Sequence, residues 1–215
     1  DNYKISPEKI IVVYNGVDLS RFSPENREKF VQFKREIKLS EDEKILLFLG
    51  SGFKRKGLET LIKALPFVNE NVKLLVIGKG NPKKYIKIAK KSGIYRRILF
   101  LGTQREIEKF YAISDLFVLP TLYDPFSNAT LEAMASGIPV ITTKNNGLAE
   151  LIEDGSEGYV LKDLLNAQEL ADKINLSLKN LTIMSFFARK KAEQLPIEEQ
   201  AKKIVEVIKC LKKSL

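Results

Sequence analysis

The chain has 215 residues, 44% hydrophobic and 29% charged, which suits one domain with a sizeable core and argues against a disordered or fibrous protein. Its net charge of +9, from 36 basic and 27 acidic residues, is spread without a block of like charges and suits an anionic substrate or surface; no aromatic-rich basic segment accompanies it, so nucleic acid is not the expected partner. With no histidine and one cysteine, Cys210, the chain lacks the usual general base, the commonest metal ligand, an internal disulfide and a zinc set, which fits a reducing, cytoplasmic setting.

No run approaches eighteen apolar residues and no signal peptide is visible, so nothing here is expected to span a membrane. The chain begins with Asp1 and reads as a piece of a longer protein. Ile10 to Val13 is a β-branched run ending at the turn pair Asn15-Gly16, which predicts a short strand and a turn. Arg27 to Ile37 predicts a charged, exposed helix, and Ser40 with Glu43 can cap a turn; Glu41, Asp42 and Glu43 read as a solvated loop.

Ile45 to Leu49 is a continuous apolar run, the pattern of a central parallel strand. It leads through Gly50-Ser51-Gly52-Phe53-Lys54-Arg55-Lys56-Gly57 into a helix whose Leu58, Leu61, Ile62 and Leu65 share a face. Cations at a helix N-terminus oppose the macrodipole, so Lys54, Arg55 and Lys56 are unfavourable unless an anion sits among them, and a pyrophosphate is such an anion. Leu74 to Ile77 is the next strand, ending in Gly78-Lys79-Gly80; the third glycine of the dinucleotide fingerprint is missing, so NAD binding is not supported, and Gly78 reads as backbone room beside a nucleotide. Pro82 opens a helix to Ser92 with a solvated face of Lys83, Lys84, Lys87, Lys90 and Lys91. A strand at Ile98 to Leu101 with Gly102-Thr103-Gln104 behind it, and a short helix from Ile107 to Ala112, complete the first half.

The run Leu116 to Leu119, bounded by Pro120, predicts a strand that feeds a loop and then a helix from Thr130 to Ser136, stopped by Gly137 and Pro139. Asp124, Ser127 and Asn128 are candidate N-caps, and the unpaired first-turn amides offer an anion site. Glu132 is expected within that first turn. Two carboxylates, Asp124 and Glu132, beside an anion site repel bare phosphate and are better matched by hydroxyls, which a nucleotide sugar carries on both sides of its pyrophosphate. The blander alternative makes Asp124 the cap of this helix and Glu132 a partner of its dipole. Beyond it, Val140 to Thr142 predicts a strand, Asn145 to Gly147 a turn, Leu148 to Ile152 a helix, and Gly158 to Leu161 a strand. Helices follow at about Ala167 to Leu178, Thr182 to Gln194 and Glu198 to Lys213. The last is expected to bury Ala201, Ile204, Val205, Ile208 and Leu211 and to expose Lys202, Lys203, Lys209 and Lys212, packing being preferred to a membrane-surface reading.

The segment Asp124 to Val140 resembles the signature loop of family 4 glycosyltransferases, retaining enzymes of the GT-B fold whose usual pattern is Glu, seven residues, Glu. The resemblance implies that Glu132 holds the nucleotide ribose and that Asp124, standing where the family has Glu, contacts the donor sugar. It implies that Arg55 and Lys56 reach the donor phosphates, with Ser51 where many members carry a further Arg, and that Ser51 and Gly52 line the same loop. Amides near Ser127, Asn128 and Ala129 would assist departure of the leaving phosphate, Thr103 would lie by the base, and the turn at Asn145 to Gly147 near the sugar.

The expected architecture is therefore α/β, a doubly wound Rossmann-like, mostly parallel sheet forming one half of a GT-B fold. Residues 1–215 form a single donor-binding domain, 1–24 its lead-in strand and loop and 198–213 a terminal helix of the kind that returns to a first domain. The implied donor is a nucleoside-diphosphate sugar of UDP, GDP or ADP type, with no cofactor and no metal. The implied partner is an N-terminal acceptor domain of the same protein, which leaves room for peripheral contact of the whole protein with the inner face of the membrane. A GT-B sugar-nucleotide epimerase and a non-catalytic nucleotide-binding module are the alternatives.

Overall fold

The computed structural model describes residues 5–6 and 9–213, with side chains up to residue 211, so Lys212 as an exposed cation lies outside the described side chains. Six strands, β1 (Lys44–Leu49), β2 (Val72–Ile77), β3 (Ile98–Gly102), β4 (Leu116–Val118), β5 (Val140–Thr143) and β6 (Gly158–Leu161), form one sheet in the order β3-β2-β1-β4-β5-β6. All five pairings are parallel. The apolar runs explain this: Ile45 to Phe48, Leu74 to Val76 and Leu116 to Val118 are fully buried, as strands covered on both faces must be.

Between the strands run α1 (Asn26–Lys29), α2 (Phe33–Glu36), α3 (Leu58–Ala64), α4 (Lys83–Lys91), α5 (Glu108–Ala112), α6 (Asn128–Ala135), α7 (Ala167–Lys179), α8 (Leu181–Ala192) and α9 (Ile197–Lys213). α3 packs against α4 and α7, and α6 against α8. The strand order reverses between β1 and β4, which pair at Leu46–Leu116 and Leu47–Phe117. Loops leaving the carboxyl ends of those two strands diverge there, opening the crevice in which doubly wound sheets bind ligands.

Four expectations are corrected. Ile10 to Val13 forms no strand: Ile10, Ile11 and Val12 are 56%, 64% and 70% exposed, and the nearest bridge is the isolated one of Val17 with Pro196. The helix expected over Arg27 to Ile37 is broken into α1 and α2, neither with a side-chain cap, as Phe33 turns inward to stack edge-on with Phe110 at 5.0 Å. The helix expected over Leu148 to Ile152 is a tighter 3₁₀ turn, Gly147–Leu151. Finally, α9 does not bury its apolar face: Ile204, Val205, Ile208 and Leu211 are 42% to 62% exposed. Its start is anchored by the amide of Ile197 donating to Val17 O at 3.0 Å and that of Gly16 to Gln200 Oε1 at 2.8 Å.

Candidate functional site

The first wall of the crevice is the loop from Gly50 to Gly57. It is folded back on itself by the amide of Lys56 donating to Gly52 O at 3.1 Å, and held to the β2 loop by Gly52 N–H on Lys79 O at 3.0 Å. Gly57 then starts α3 with φ of 77°, and a Cβ there would sit 1.8 Å from the carbonyl oxygen of Pro120. A glycine is needed because this loop presses on the loop that follows β4. The contact is sealed by Leu122 N–H and the Thr121 hydroxyl donating to Arg55 O at 2.7 and 3.0 Å.

Lys56 runs over Gly50, where an added Cβ would meet its stem at 3.1 Å, and its ammonium forms an ion pair with the Asp124 carboxylate. Both residues are buried, at 9% and 6% exposure. The anion that the cation-bearing N-terminus of α3 requires is thus supplied by the chain itself. Asp124 is fixed in turn by its backbone, which donates to Asn145 O at 3.0 Å and accepts from Gly147 N–H at 2.9 Å. It does not cap α6. That place belongs to Ser127, whose Oγ accepts from Thr130 N–H at 3.3 Å.

α6 begins at Asn128, so the amides of Asn128 and Ala129 are first-turn donors that the helix itself cannot pair. The Asn128 side chain is held from the lead-in segment by Asn15 Nδ2 at 2.8 Å. The fully buried Asn146 braces this region. Its Oδ1 accepts from Ser127 N–H at 3.1 Å and Leu148 N–H at 3.2 Å, and its amide nitrogen donates to Thr142 Oγ1 at 2.9 Å. Asn146→Ala leaves several buried polar groups without partners, at about 1 to 3 kcal/mol for each unsatisfied group. Denaturant unfolding should show a loss of at least about 2 kcal/mol. An unchanged midpoint would mean that the brace is dispensable.

Glu132 lies in the second turn of α6 rather than the first, since the helix starts at Asn128, ahead of the expected start at Thr130. Tyr111, fully buried on α5, donates its hydroxyl to Glu132 Oε2 at 2.8 Å, and Ala129 O lies 3.0 Å from the same hydroxyl. Burial raises the Glu132 pKa above its ordinary 4.5; the Tyr111 hydroxyl and the positive field of Arg21 oppose that rise only in part. Glu132 forms no ion pair among the described residues. Because the folded state holds this proton more tightly than the unfolded chain, the group contributes no penalty below about pH 4.5 and a growing one as pH rises through its raised pKa. Glu132→Gln should therefore melt higher than the parent at pH 7, with the gap closing below pH 4.5; a variant that melts lower at pH 7 would show the charge serving the helix instead.

The remaining sequence candidates fall at different distances from this centre. Arg55 is exposed and donates to Tyr123 O at 2.8 Å, so it ties the two loops together. Ser51 Oγ accepts from Lys79 N–H at 3.2 Å, and Gly52, with φ of 78°, meets nothing where a Cβ would project. Gly78 does not leave room for a ligand: with φ of 135°, it is needed because a Cβ would lie 2.2 Å from Gly50 O. Thr103 is exposed on the separate loop behind β3. Sequence reasoning missed Tyr111 and the bracing role of Asn146. Tyr111 sits in a short helix without a motif, and Asn146 carried only a turn signal.

Residues 30–206 match the family model described as glycosyl transferases group 1. An uncharacterized glycosyltransferase of Methanocaldococcus jannaschii is 35% identical over 157 residues, 70% of this chain and 40% of its own length. The crystal structure of Anabaena Alr3699/HepE in complex with UDP is similar at 25% identity, with a TM-score of 0.83 over 95% of this chain and 58% of that one. The C-terminal domain of a glycosyl transferase group 1 family protein, LpcC, from Francisella tularensis is similar at 27% identity, with a TM-score of 0.72 over 83% of this chain and 97% of that one. The chain spans 40% to 53% of the length of the curated relatives it matches.

Proposed function

The chain belongs to the glycosyl transferases group 1 family, and from that premise we propose that residues 1–215 are the donor-binding half of a retaining glycosyltransferase that takes its sugar from a nucleoside diphosphate. The observation that carries the proposal is the buried pair of Lys56 and Asp124 at the strand-order reversal, one charge on each wall of the crevice. A diphosphate entering here meets Lys56, Arg55 and the free amides of Asn128 and Ala129, the donors that would stabilise charge building up on the leaving phosphate. Lys56 then turns from Asp124 to the phosphate, and Asp124 is left to accept from the hydroxyls of the sugar. Glu132, without a cationic partner, accepts from the two ribose hydroxyls. Ser51, Gly52 and Gly78 shape the phosphate loop, and Thr103 lies toward the base. The acceptor is bound by a domain outside this chain.

A thermal-shift panel of UDP, GDP and ADP, each bare and as a sugar conjugate, tests the reading. One base should raise the melting point, by an amount corresponding to about 2.7 kcal/mol at a hundred times the dissociation constant, and its sugar conjugate should bind more tightly than the bare nucleotide. The UDP complex of the Anabaena neighbour makes UDP the first to try. No shift with any of the six would overturn the proposal.

A further inference from the structure

Beside the phosphate loop lies a cavity of about 700 Å³, between residues 52–55, Leu122 and the start of α4. Its floor is aromatic. Phe53 stacks edge-on with Tyr85 at 5.7 Å and with Phe48 at 6.1 Å, and Leu122 closes one end. Gly80 keeps the cavity in shape, because a Cβ there would meet the Phe53 ring at 2.6 Å. The mouth is cationic: Lys54 and Lys84 line it. Lys84 shares the Glu59 carboxylate with Lys63, at 2.5 and 2.8 Å, so one acid faces two lysines there, and Lys54 forms no ion pair among the described residues. α4 also opens with Lys83 and Lys84 and no acidic residue in its first turn, the arrangement that an anion relieves.

We propose that this cavity is a second small-molecule site that takes an anionic amphiphile, an apolar tail carrying one phosphate or carboxylate. The volume lies within the range of drug-sized ligand sites, the tail packs on Phe53, Tyr85 and Leu122, and the head group meets Lys54 and Lys84. Gly52 and Arg55 of the phosphate loop also line the cavity, while Lys56 and Asp124 do not, so the site adjoins the crevice that binds the nucleotide and the two ligands are distinguished by competition.

Calorimetric titration of the 215-residue chain with octyl phosphate, and with octyl glucoside as a neutral head of the same tail, tests the proposal. Octyl phosphate should bind at least about tenfold more tightly than octyl glucoside. Leu122→Glu, which sets a carboxylate against the tail, should abolish binding of both probes, and Lys84→Ala should weaken octyl phosphate alone by about three- to tenfold. Both variants should keep the melting-point rise given by the preferred nucleoside diphosphate, which reports an intact fold. Equal binding of the two probes, binding untouched by Leu122→Glu, or competitive displacement by the nucleotide would each overturn the proposal; loss of the nucleotide response in the parent chain would count against the donor site instead.

Discussion

Asp124→Ala is expected to tighten binding of a bare nucleoside diphosphate while weakening that of its sugar conjugate. The Asp124 carboxylate is the partner of a buried lysine, and a diphosphate must displace it. The parent therefore binds a bare diphosphate at the cost of leaving Asp124 buried without its cation, whereas a sugar nucleotide offers phosphate to Lys56 and hydroxyls to Asp124 together. Removing Asp124 removes the competitor. A charge-assisted hydrogen bond is worth about 1.5 to 3 kcal/mol, so the bare nucleotide should bind about tenfold or more tightly and the preference for the sugar conjugate should collapse. The variant also strands Lys56, which costs about 3 to 5 kcal/mol and lowers the melting point by about 10 °C, a loss that the diphosphate should largely restore. Parallel weakening of both ligands would mean that Asp124 only shapes the loop.

Lys56→Met keeps the apolar stem over Gly50 and deletes the charge. Asp124 is then the stranded group, with a similar loss of about 3 to 5 kcal/mol in stability. Affinity for bare and sugar-bearing nucleotides should fall together by one to two orders of magnitude, roughly the worth of one charge-assisted bond. The double variant Lys56→Met with Asp124→Asn separates folding from binding: replacing both charges leaves no ion stranded, so stability should largely return while nucleotide affinity does not. A double variant that regains affinity along with stability would remove Lys56 from the phosphate site.

The strands were legible because a sheet covered on both faces demands continuous apolar runs, and Ile45 to Leu49, Leu74 to Ile77 and Leu116 to Leu119 stand out in this chain as such runs. Glycines and prolines marked the two loops that meet at the order reversal. What failed followed from tertiary context. Ile10 to Val13 has the composition of a strand and pairs with no strand among the described residues, and the apolar stripe of α9 has the periodicity of a packed helix yet is left exposed by the described residues. Both signals report burial demanded by the sequence, and a local pattern does not say where the covering surface lies. The pairing of Lys56 with Asp124 spans 68 residues and depends on which strands are neighbours, so each was visible as a candidate and the bond between them was not. Tyr111 and Asn146 act by holding Glu132 and the Ser127 amide, and supports of that kind leave no motif.

The central claim is that Lys56 exchanges Asp124 for the donor diphosphate in the crevice between the β1 and β4 loops. A crystal structure of the chain with UDP, or with whichever nucleoside diphosphate the thermal panel selects, tests it most directly. The account predicts a phosphate oxygen within hydrogen-bond distance of Lys56 Nζ, the ribose hydroxyls on Glu132, and the lysine drawn away from Asp124; a nucleotide bound elsewhere, or bound here with the Lys56–Asp124 pair intact, would contradict it.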